Sequence, residues 1–397
     1  MLQGKNILLG ITGGIASYKC AELVRLFIKE GADVKVVMTK SAEDFVTPKT
    51  LSVLSKNEVV TNFFDDSHHW NNHVALAEWA DIFLVAPLTA NTLAKFANGM
   101  SDNLLTATYL SARCKVFLAP AMDLEMYQHV TTVKNLEILK SHHHQIINAQ
   151  FGELASGLIG EGRMAEPNAI VDFIKNNLKL SLPLYGKSVL VNAGPTYESI
   201  DPVRFIGNRS SGKMGIAIAD EFAKQGAAVT LVLGPSSHKP IQKSINIISV
   251  ESAEDMFNAC QLNFQHANIA ILSAAVSDYK PVMISSKKIK KTEIDFNLKL
   301  TKTVDILETL GKIKKNQFLV GFALETENLI EYAKEKLIKK NLDLIIANSA
   351  ADKGAGFGVD TNKITIIDKH NNLTPFELKT KKEIAAEIVD YIIKFKK

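Results

Sequence analysis

Two glycine-rich segments, one in each half of the chain, have residue types that suit phosphate binding. Residues 10–19 read GITGGIASYK after the apolar run Asn6–Leu9, and residues 194–215 read GPTYESIDPVRFIGNRSSGKMG after Ser188–Val191. Backbone N–H groups at a helix start favour anions, because they are unpaired and lie at the positive end of the helix dipole. The first segment does not match the Walker pattern, and a tight turn without any ligand also explains it. Two such loops predict two active sites.

A polar segment, residues 87–92 (PLTANT), follows the apolar run Ile82–Ala86 in the first half. Ligands of open α/β sheets bind at the carboxyl ends of strands. The hydroxyl and amide groups of Thr89, Asn91 and Thr92 are therefore candidates for holding a cofactor. Asn91 would serve equally well as a helix cap.

His73 is a candidate catalytic residue of the first half, although a lone histidine is more often structural. His69 and His73 have the i, i+4 spacing of metal ligands, with His68 beside them. These histidines alone are an incomplete set of metal ligands, so a metal site is the less favoured interpretation. The ligands of any metal are left open.

The second half adds donors and cations around its glycine loop. Gly194 and residues 210–213 (SSGK) supply donors that lead into a helix, and Asn208 and Arg209 extend this polar rim. Phosphate is the ligand that such a loop suits.

Two groups of lysines follow. Residues 285–291 (SSKKIKK) are either an exposed basic loop or a mobile set of cations that screens a triphosphate and its leaving group. Lys336 and Lys340 have i, i+4 spacing, so one helix face would direct both at a single anionic ligand.

Composition bounds the class of protein. A chain of 397 residues with 46% hydrophobic and 22% charged residues has room for two globular domains with full cores. A formal net charge of +4 is too small to indicate nucleic acid. The three cysteines are isolated, which favours a reducing compartment. Neither a signal peptide nor a membrane span is expected, and the cytoplasm is the expected location.

Alternating apolar runs and helical patterns predict an α/β protein. Residues 1–183 are expected to form a doubly wound domain with a parallel sheet, because its strands are short and continuously apolar. Residues 151–167 are rich in Gly and Ala and predict a mobile loop. The boundary is placed near Pro183, and residues 184–397 are expected to form a second, Rossmann-like α/β domain.

The first domain resembles the flavin-dependent cysteine decarboxylases. The resemblance rests on GITGGIASYK, the His73 segment, PLTANTLAKFANG, PAMDLEMY and GELASGLIGEGRMAEP, which occur in the family's order. It implies His73 as catalytic base or orienting group and a substrate flap centred on residues 156–164. It also implies substrate contacts from Met122, Arg163 and Met164. The FMN-binding residues it implies are Gly13, Gly14, Ile15, Ala16, Ser17, Thr39, Thr89, Ala90, Asn91 and Thr92.

Two departures from that family concern catalysis. Asp123 occupies the position of an asparagine that contacts the substrate carboxylate, and Ser156 occupies that of a cysteine that donates a proton. A serine hydroxyl is a far weaker acid than a thiol, whose usual pKa is about 8.5. An ionised Asp123 would repel a carboxylate. We interpret the pair as a functional variant in which Asp123 is protonated or another group binds the carboxylate.

The second domain resembles phosphopantothenate–cysteine ligase. The resemblance covers GPTYESIDPVRFIGNRSSGKMG, AAVSDYKP, KIKK, GFALET, KLIKK, Asn348 and the stretch Lys353–Gly358. It implies that Asn208 serves an acyl-cytidylate intermediate, that residues 304–306 contact the base, and that Mg²⁺ accompanies the triphosphate. The ligand-binding residues that it implies are Ser273, Ala274, Asp278, Lys288, Val304, Asp305, Ile306, Phe322, Lys336 and Lys340, with Lys288 also catalytic.

The two resemblances imply successive reactions of coenzyme A synthesis. The second domain would ligate cysteine to 4′-phosphopantothenate with CTP, and the first would decarboxylate the product with FMN. The alternatives are an active ligase with an inactive or altered flavin domain, and a regulatory flavoprotein without turnover. The resemblance also implies trimeric flavin contacts and dimeric ligase contacts, which together would build a homododecamer that binds neither nucleic acid nor membrane.

Overall fold

The structure is a computed structural model that describes residues 1–64, 67–68, 70–290, 297–325, 328–349 and 359–396. Internal contacts divide the chain into two compact units, Met1–Lys179 and Leu180–Lys397. Among the described residues, every helix is too short or too polar to cross a membrane.

The first unit alternates strands and helices along its length. Its strands are β1 (Asn6–Ile11), β2 (Asp33–Met38), β3 (Val59–Val60), β4 (Ile82–Leu88), β5 (Lys115–Pro120), β6 (Gln145–Ile146), β7 (Gln150–Glu153) and β8 (Ile159–Arg163). Its helices are α1 (Cys20–Lys29), α2 (Pro48–Ser55), α3 (His73–Trp79), α4 (Ala90–Ala97), α5 (Leu104–Ser111), α6 (Leu124–Gln128), α7 (Val130–Ser141) and α8 (Pro167–Leu180), with 3₁₀ turns at Ile15–Lys19 and Lys40–Ala42.

Strands β1 to β6 form a parallel sheet, six-stranded within the described residues, in the order β3-β2-β1-β4-β5-β6. This is the strand order of a doubly wound fold, and it confirms the predicted fold class. The order reverses between β1 and β4, so the carboxyl ends of these two strands border the crevice where such folds bind ligands.

The two faces of this sheet are buried against different helices. Along β1, Ile7 and Leu9 pack in one core with Phe27 of α1, whereas Leu8 packs in another with Leu93 of α4. Successive side chains of a strand point to opposite faces, which is why a continuous apolar run is needed when both faces are covered.

Two local predictions for this unit are wrong. Residues 151–167 contain the antiparallel hairpin β7–β8 instead of an irregular loop. Its glycines allow close packing: a Cβ on Gly160 would lie 2.5 Å from Leu124 Cδ1, and one on Gly162 would lie 2.2 Å from the Met122 carbonyl oxygen. The helical pattern of the sequence over Leu124–Lys140 predicts a single helix, but the segment forms two, because His129 has an extended backbone between α6 and α7.

The second unit repeats the alternation and adds short hairpins. Its strands are β9 (Ser188–Ala193), β10 (Tyr197–Ser199), β11 (Phe205–Gly207), β12 (Ala228–Leu233), β13 (Asn246–Ser249), β14 (Ile269–Leu272), β15 (Tyr279–Pro281), β16 (Leu300–Lys302), β17 (Phe318–Glu325), β18 (Leu344–Ser349), β19 (Thr361–Asp368) and β20 (Leu373–Thr380). Its helices are α9 (Lys213–Lys224), α10 (Ala253–Phe264), α11 (Ile306–Ile313), α12 (Leu329–Lys339) and α13 (Lys381–Phe395).

The main sheet of the second unit has the order β13-β12-β9-β14-β17-β18-β19-β20 over the part of the chain that is described. It is parallel as far as β18, and β19 and β20 are antiparallel. Helices α9 and α13 share the core on one face, which contains Phe222 and Ile388. The core on the other face takes α10, α11 and α12. The strand order again reverses next to the first strand, between β9 and β14.

Candidate active sites

The first unit has a cavity of about 920 Å³ beside the carboxyl ends of β1 and β4, within the range of roughly 300–1,000 Å³ usual for small-ligand sites. Polar groups from the two loops meet methionines and alanines there. The lining consists of Gly13–Ala16, Tyr18, Lys19, Thr39–Ser41, Thr89–Thr92, Lys95, Asn103, Ala121–Asp123, Met126, Glu153–Ala155 and Gly162–Met164.

Thr12 joins the two loops that border this cavity. Its buried hydroxyl donates to the Pro87 carbonyl (2.7 Å) and accepts from the Thr89 N–H (3.0 Å). Thr89 is the N-cap residue of α4, but its side chain makes no capping hydrogen bond, and Asn91 lies inside the helix. Asn91 is therefore not the cap.

The glycine loop lies close to the loop after β2. A Cβ on Gly13 would lie 2.3 Å from the Ser41 hydroxyl oxygen, so the close approach of the two loops requires glycine. The Thr39 and Ser41 hydroxyls are 3.2 Å apart at the cavity. Ser17 is not among the described residues that line the cavity. It is buried, and its hydroxyl donates to the Thr12 carbonyl (2.9 Å).

Lys19 holds the segment that follows strand β8 beside the cavity. Its buried Nζ donates to the Met164 carbonyl (3.0 Å) and to Glu166 Oε1 (2.9 Å), which also accepts from Arg163 Nη2 (2.7 Å). The hydrogen bond from Lys19 and the charges of Lys19 and Arg163 lower the pKa of Glu166. Lys19 belongs to the first glycine motif, but its role depends on a partner 147 residues away, which the motif cannot reveal.

The cavity lining brings Met122, Asp123, Arg163 and Met164 together, which are residues that the resemblance implies near the substrate. The Met122 N–H donates to the Gly162 carbonyl (3.0 Å), which joins the segment after β5 to strand β8. Asp123 Oδ1 accepts from the Leu124 N–H (2.6 Å) at the start of α6. Its carboxylate is thereby fixed as an acceptor that faces the cavity.

Two predicted catalytic residues lie outside the lining of this cavity. Ser156 is exposed at the tip of the β7–β8 hairpin, where its hydroxyl lies 3.4 Å from the Leu158 N–H. His73 is the first residue of α3 and contacts the rings of Phe63 and Trp70 edge-on. Its buried Nδ1 has no hydrogen-bond partner among the described residues.

The second unit has a cavity of about 810 Å³ at the carboxyl edge of its sheet. Donors from the glycine loop meet apolar residues from the start of α11. Its lining includes Asn192, Asn208, Ser210–Gly215, Leu272–Val276, Asp278, Tyr279, Lys302–Glu308, Phe322, Leu324, Lys340, Asn348, Asn362 and Lys381. Most ligand-binding residues implied by the resemblance are therefore together.

Asn192 holds one wall of this cavity, although the sequence does not single it out. It is buried, and its Oδ1 accepts from the backbone N–H groups of Ser273 (2.8 Å) and Ala274 (2.9 Å). Asn208 lies opposite the same segment, and its Nδ2 donates to the carbonyls of Ala275 (3.1 Å) and Val276 (3.0 Å). An Asn at the end of an apolar strand is the signal that points to Asn192.

Lys340 and Asp305 both line the cavity and form an ion pair, with Lys340 Nζ 2.7 Å from Asp305 Oδ2. Burial raises the pKa of Asp305, but the hydrogen bonds from Lys340 and the Glu308 N–H outweigh it, so this pKa is lowered. Lys336 and Lys288 are not among the described residues that line the cavity, and Lys288 is exposed. Their roles stay predictions.

The segment that carries Lys288 is anchored by Asp201. This buried carboxylate accepts from the backbone N–H groups of Val203, Arg204 and Ile289 and from Arg204 Nε (3.0 Å). Hydrogen bonds from the Arg204 guanidinium hold the pKa of Asp201 well below its usual range. The Arg204 guanidinium also donates to the Ile289 carbonyl (2.9 Å), so residue 288 is adjacent to a fixed point.

No group of three or more His, Cys, Asp or Glu side chains suited to a metal occurs in the described part of the chain. Several residues named above lie outside that part: His69, Lys291, Thr326 and Lys353–Gly358.

Comparison with known proteins defines the class. Residues 1–179 match the flavoprotein family, and residues 184–395 match the DNA/pantothenate metabolism flavoprotein C-terminal domain. The coenzyme A biosynthesis bifunctional proteins CoaBC of Bacillus subtilis (strain 168) and Haemophilus influenzae are 43% and 42% identical to this chain. The matches cover 99% of this chain and 97% and 98% of those proteins. The chain belongs to this family of bifunctional proteins of coenzyme A biosynthesis.

A further relative carries a different name. The cysteine/cysteine sulfinic acid decarboxylase of an unknown prokaryotic organism is 54% identical over 354 residues. The match covers 88% of this chain and 99% of that protein, and thus extends well beyond the flavoprotein unit.

Proposed function

We propose that the two units catalyse consecutive reactions of coenzyme A biosynthesis. The second unit joins cysteine to 4′-phosphopantothenate at the expense of CTP, and the first decarboxylates 4′-phosphopantothenoylcysteine to 4′-phosphopantetheine. The observation that carries this proposal is the pair of separate cavities, each at the carboxyl edge of its own sheet and each lined by the motif residues of its unit. Membership in the bifunctional family supports it.

The residues of the first cavity fit FMN. Backbone N–H groups of Gly13–Ala16 suit the phosphate, the hydroxyls of Thr39 and Thr89 suit the polar groups, and methionines suit the flat ring system. Gly13, where a side chain would clash with Ser41, lets the glycine loop and the loop after β2 border the cavity together. Bound FMN supplies reversible two-electron oxidation of the cysteinyl side chain, which turns the carboxylate into a leaving group.

Arg163 is the group that we assign to the substrate carboxylate. Asp123 accepts from the Leu124 N–H, as an ionised carboxylate does, and an ionised carboxylate would repel the substrate carboxylate. Arg163 lines the same cavity, and Glu166 fixes its guanidinium from one side. Ser156 is exposed at the tip of the β7–β8 hairpin and does not line the cavity. With the hairpin in this position, another acid or a water molecule donates the proton to the product.

His73 would act on the cavity of a neighbouring copy. It does not line its own chain's cavity, and its buried Nδ1 has no partner in the described residues. This agrees with a homo-oligomer in which flavin units form trimers with FMN between subunits, and paired ligase units complete a dodecamer. Co-expression of His73→Asn with a chain altered at Asn91 should restore decarboxylation if the site is shared, and neither variant alone should be active. Light scattering that reports a monomer would contradict the assembly.

In the second cavity, the carboxylate of 4′-phosphopantothenate attacks the α-phosphorus of CTP and pyrophosphate leaves. The amine of cysteine then attacks the acyl carbon, and CMP leaves. Asn208 would serve the acyl-cytidylate, residues 304–306 the base and Lys340 the nucleotide, and all of them line this cavity. Lys288 would reach the triphosphate from its anchored loop. Mg²⁺ is expected to enter on the triphosphate, which together with water supplies most of its ligands.

A second candidate activity of the flavin unit is decarboxylation of free cysteine to cysteamine and CO₂. The 54% identical cysteine decarboxylase and the Asp123 carboxylate favour it. In phosphopantothenoylcysteine the amine is acylated and neutral, whereas free cysteine carries an ammonium group. Asp123 and Arg163 are opposite charges that line one cavity without forming an ion pair, within the described residues. They would match the ammonium and carboxylate of a free amino acid.

One experiment separates these activities. The full chain is incubated with 4′-phosphopantothenate, cysteine, CTP and Mg²⁺, and the products are identified by mass spectrometry. 4′-Phosphopantetheine and CMP are expected; a reaction that stops at 4′-phosphopantothenoylcysteine would restrict the function to ligation. Cysteamine formed from cysteine alone would support the second candidate. Asp123→Asn should then lose activity on free cysteine while it keeps activity on the acylated substrate.

A further inference from the structure

Lys381, which no motif of the sequence singles out, lies in the ligase cavity. It is the first residue of α13, only 8% of it is exposed, and its Nζ donates to the Val359 carbonyl (2.5 Å). The side chain is one of the residues that line the cavity, with Asn362 beside it on β19. Its neighbour Lys382 is exposed.

This position is costly for a cation in three independent ways. Burial removes the ammonium group from water. The first turn of a helix carries partial positive charge, which favours acidic residues and not basic ones. The third cost is the nearby ammonium group of Lys213, which repels that of Lys381. Burial, and to a smaller extent the charge of Lys213, lowers the pKa of Lys381. Local conflicts of this kind concentrate at functional sites, where a ligand compensates them.

The topology brings the two lysines to the same end of the cavity. Lys213 opens α9, and its Nζ pairs with Asp360 Oδ1 at 2.6 Å. The Lys381 N–H donates to the Asp360 carbonyl (2.9 Å). Asp360 is 83% exposed, so its carboxylate is well solvated and compensates the two cations weakly. The same end of the cavity is therefore lined by two lysines, Lys213 and Lys381, and by the starts of the helices α9 and α13 to which they belong.

The opposite side of the cavity has a different character. Val304–Ile306 and Lys340 belong to the start of α11 and the end of α12, which pack on the other face of the sheet. Lys340 is already paired with Asp305 at 2.7 Å. Lys302 of β16 is a further cation of the cavity. What distinguishes the α9–α13 side, away from the residues assigned to the nucleotide base, is two lysines beside one highly exposed carboxylate.

We propose that Lys381, together with Lys213, binds the terminal phosphate monoester of the acid substrate and makes the ligase select phosphorylated over unphosphorylated pantothenate. The assignment rests on the proposed ligase function. A phosphate monoester carries nearly two negative charges at neutral pH and offers three acceptor oxygens, which matches two ammonium groups and two helix starts. Lys381 is a substrate-binding residue in this assignment and takes no part in the transfer step.

The test compares Lys381→Met with Lys382→Met in the full chain. Methionine keeps most of the side-chain length and removes the charge, and Lys382 is the adjacent, exposed position. We expect the KM for 4′-phosphopantothenate to rise about 10- to 100-fold in Lys381→Met, the range for loss of one charge-assisted hydrogen bond. The KM for CTP should stay within about twofold. The preference for 4′-phosphopantothenate over pantothenate should fall by the same factor, and Lys382→Met should match the parent chain.

Thermal unfolding provides a readout that a structural role would not give. Because burial and the Lys213 ammonium both disfavour the charge of Lys381, Lys381→Met should unfold at the same or a higher temperature than the parent chain. Inorganic phosphate should raise the unfolding temperature of the parent chain and of Lys382→Met more than that of Lys381→Met.

Three results would overturn the assignment. A KM that rises for CTP instead of 4′-phosphopantothenate would place Lys381 on the triphosphate. A lower unfolding temperature with all kinetic constants changed would make it a structural residue. Equal stabilisation of all three chains by phosphate would remove the subsite. The ligase function can fail separately. If the parent chain forms no CMP, but phosphate still stabilises it and not Lys381→Met, the ligase function is wrong and the phosphate site remains.

Discussion

Replacement of Thr12 by valine should destabilise the flavin unit and loosen its hold on FMN. Valine has the shape of threonine but lacks the hydroxyl that donates to the Pro87 carbonyl and accepts from the Thr89 N–H. Thr12 is 1% exposed, so water cannot replace either partner. Each buried group left without a partner costs roughly 1–3 kcal/mol, and two groups lose theirs, so the free energy of unfolding should fall by about 2–6 kcal/mol.

Tryptophan fluorescence can follow this unit alone. Both tryptophans of the chain, Trp70 and Trp79, belong to the flavin unit. With a dependence on urea of about 1–3 kcal/mol per molar, Thr12→Val should shift the unfolding midpoint down by about 1 M or more. Because Thr89 begins the segment that lines the cavity, flavin absorbance per purified chain should also fall.

Thr12→Ser is the matched control. Serine keeps the hydroxyl and loses one buried methyl group, which costs about 1 kcal/mol. It should retain flavin at the level of the parent chain. If Thr12→Val and Thr12→Ser unfold at the same urea concentration and bind flavin equally, the hydroxyl does not connect the two loops and the reasoning is wrong.

Three further changes test the geometry. Gly162→Ala should reduce decarboxylation at least 10-fold, because its φ of +153° and a Cβ 2.2 Å from the Met122 carbonyl oxygen force the strand away; Gly152→Ala, which meets only ordinary contacts, should have little effect. Asn192→Leu removes the acceptor of the Ala274 N–H, whereas the Ser273 N–H keeps the Asn192 backbone carbonyl at 3.3 Å, so hydrogen exchange at the Ala274 amide should accelerate by about tenfold or more, and unchanged exchange would count against the anchor. Because the pKa of Asp201 is lowered on folding, its contribution to stability is full above the unfolded value of about 3.9 and is lost as the pH falls below it. Exchange protection of the Ile289 amide should follow that course, whereas Asp201→Asn should weaken it at neutral pH; protection in this variant equal to that of the parent chain would refute the anchor.

The fold could be predicted because it is encoded locally. Short apolar runs alternate with helical patterns, and a parallel sheet with both faces covered needs both signals. In each unit the polar motifs follow strands that become neighbours, such as β1 and β4, so their convergence follows from the topology. Strand β20 was harder to predict, because it alternates, contains Pro375 and lacks a continuous apolar run.

The residues that sequence reasoning missed depend on distant partners. Lys19 acts through Glu166, and Lys381 reaches the cavity because the last helix packs against α9. Neither relation has a local signature. The hairpin at residues 150–163 was mistaken for a loop because its glycines were taken as flexible, whereas two of them are sites of close packing against Leu124 and the Met122 backbone.

The packing of α13 against α9 has a consequence for synthesis on the ribosome. The core that the two helices share contains Phe222 from the first helix of the second unit and Ile384, Ile388 and Ile392 from the last. A nascent chain therefore cannot close that core, or place Lys381, until α13 has emerged. The flavin unit, whose contacts end at Lys179, can fold while more than 200 residues remain to be translated. A ribosome that stalls late would leave a folded flavin unit beside an open apolar sheet, which makes α13 the segment whose loss exposes the chain to aggregation and proteolysis.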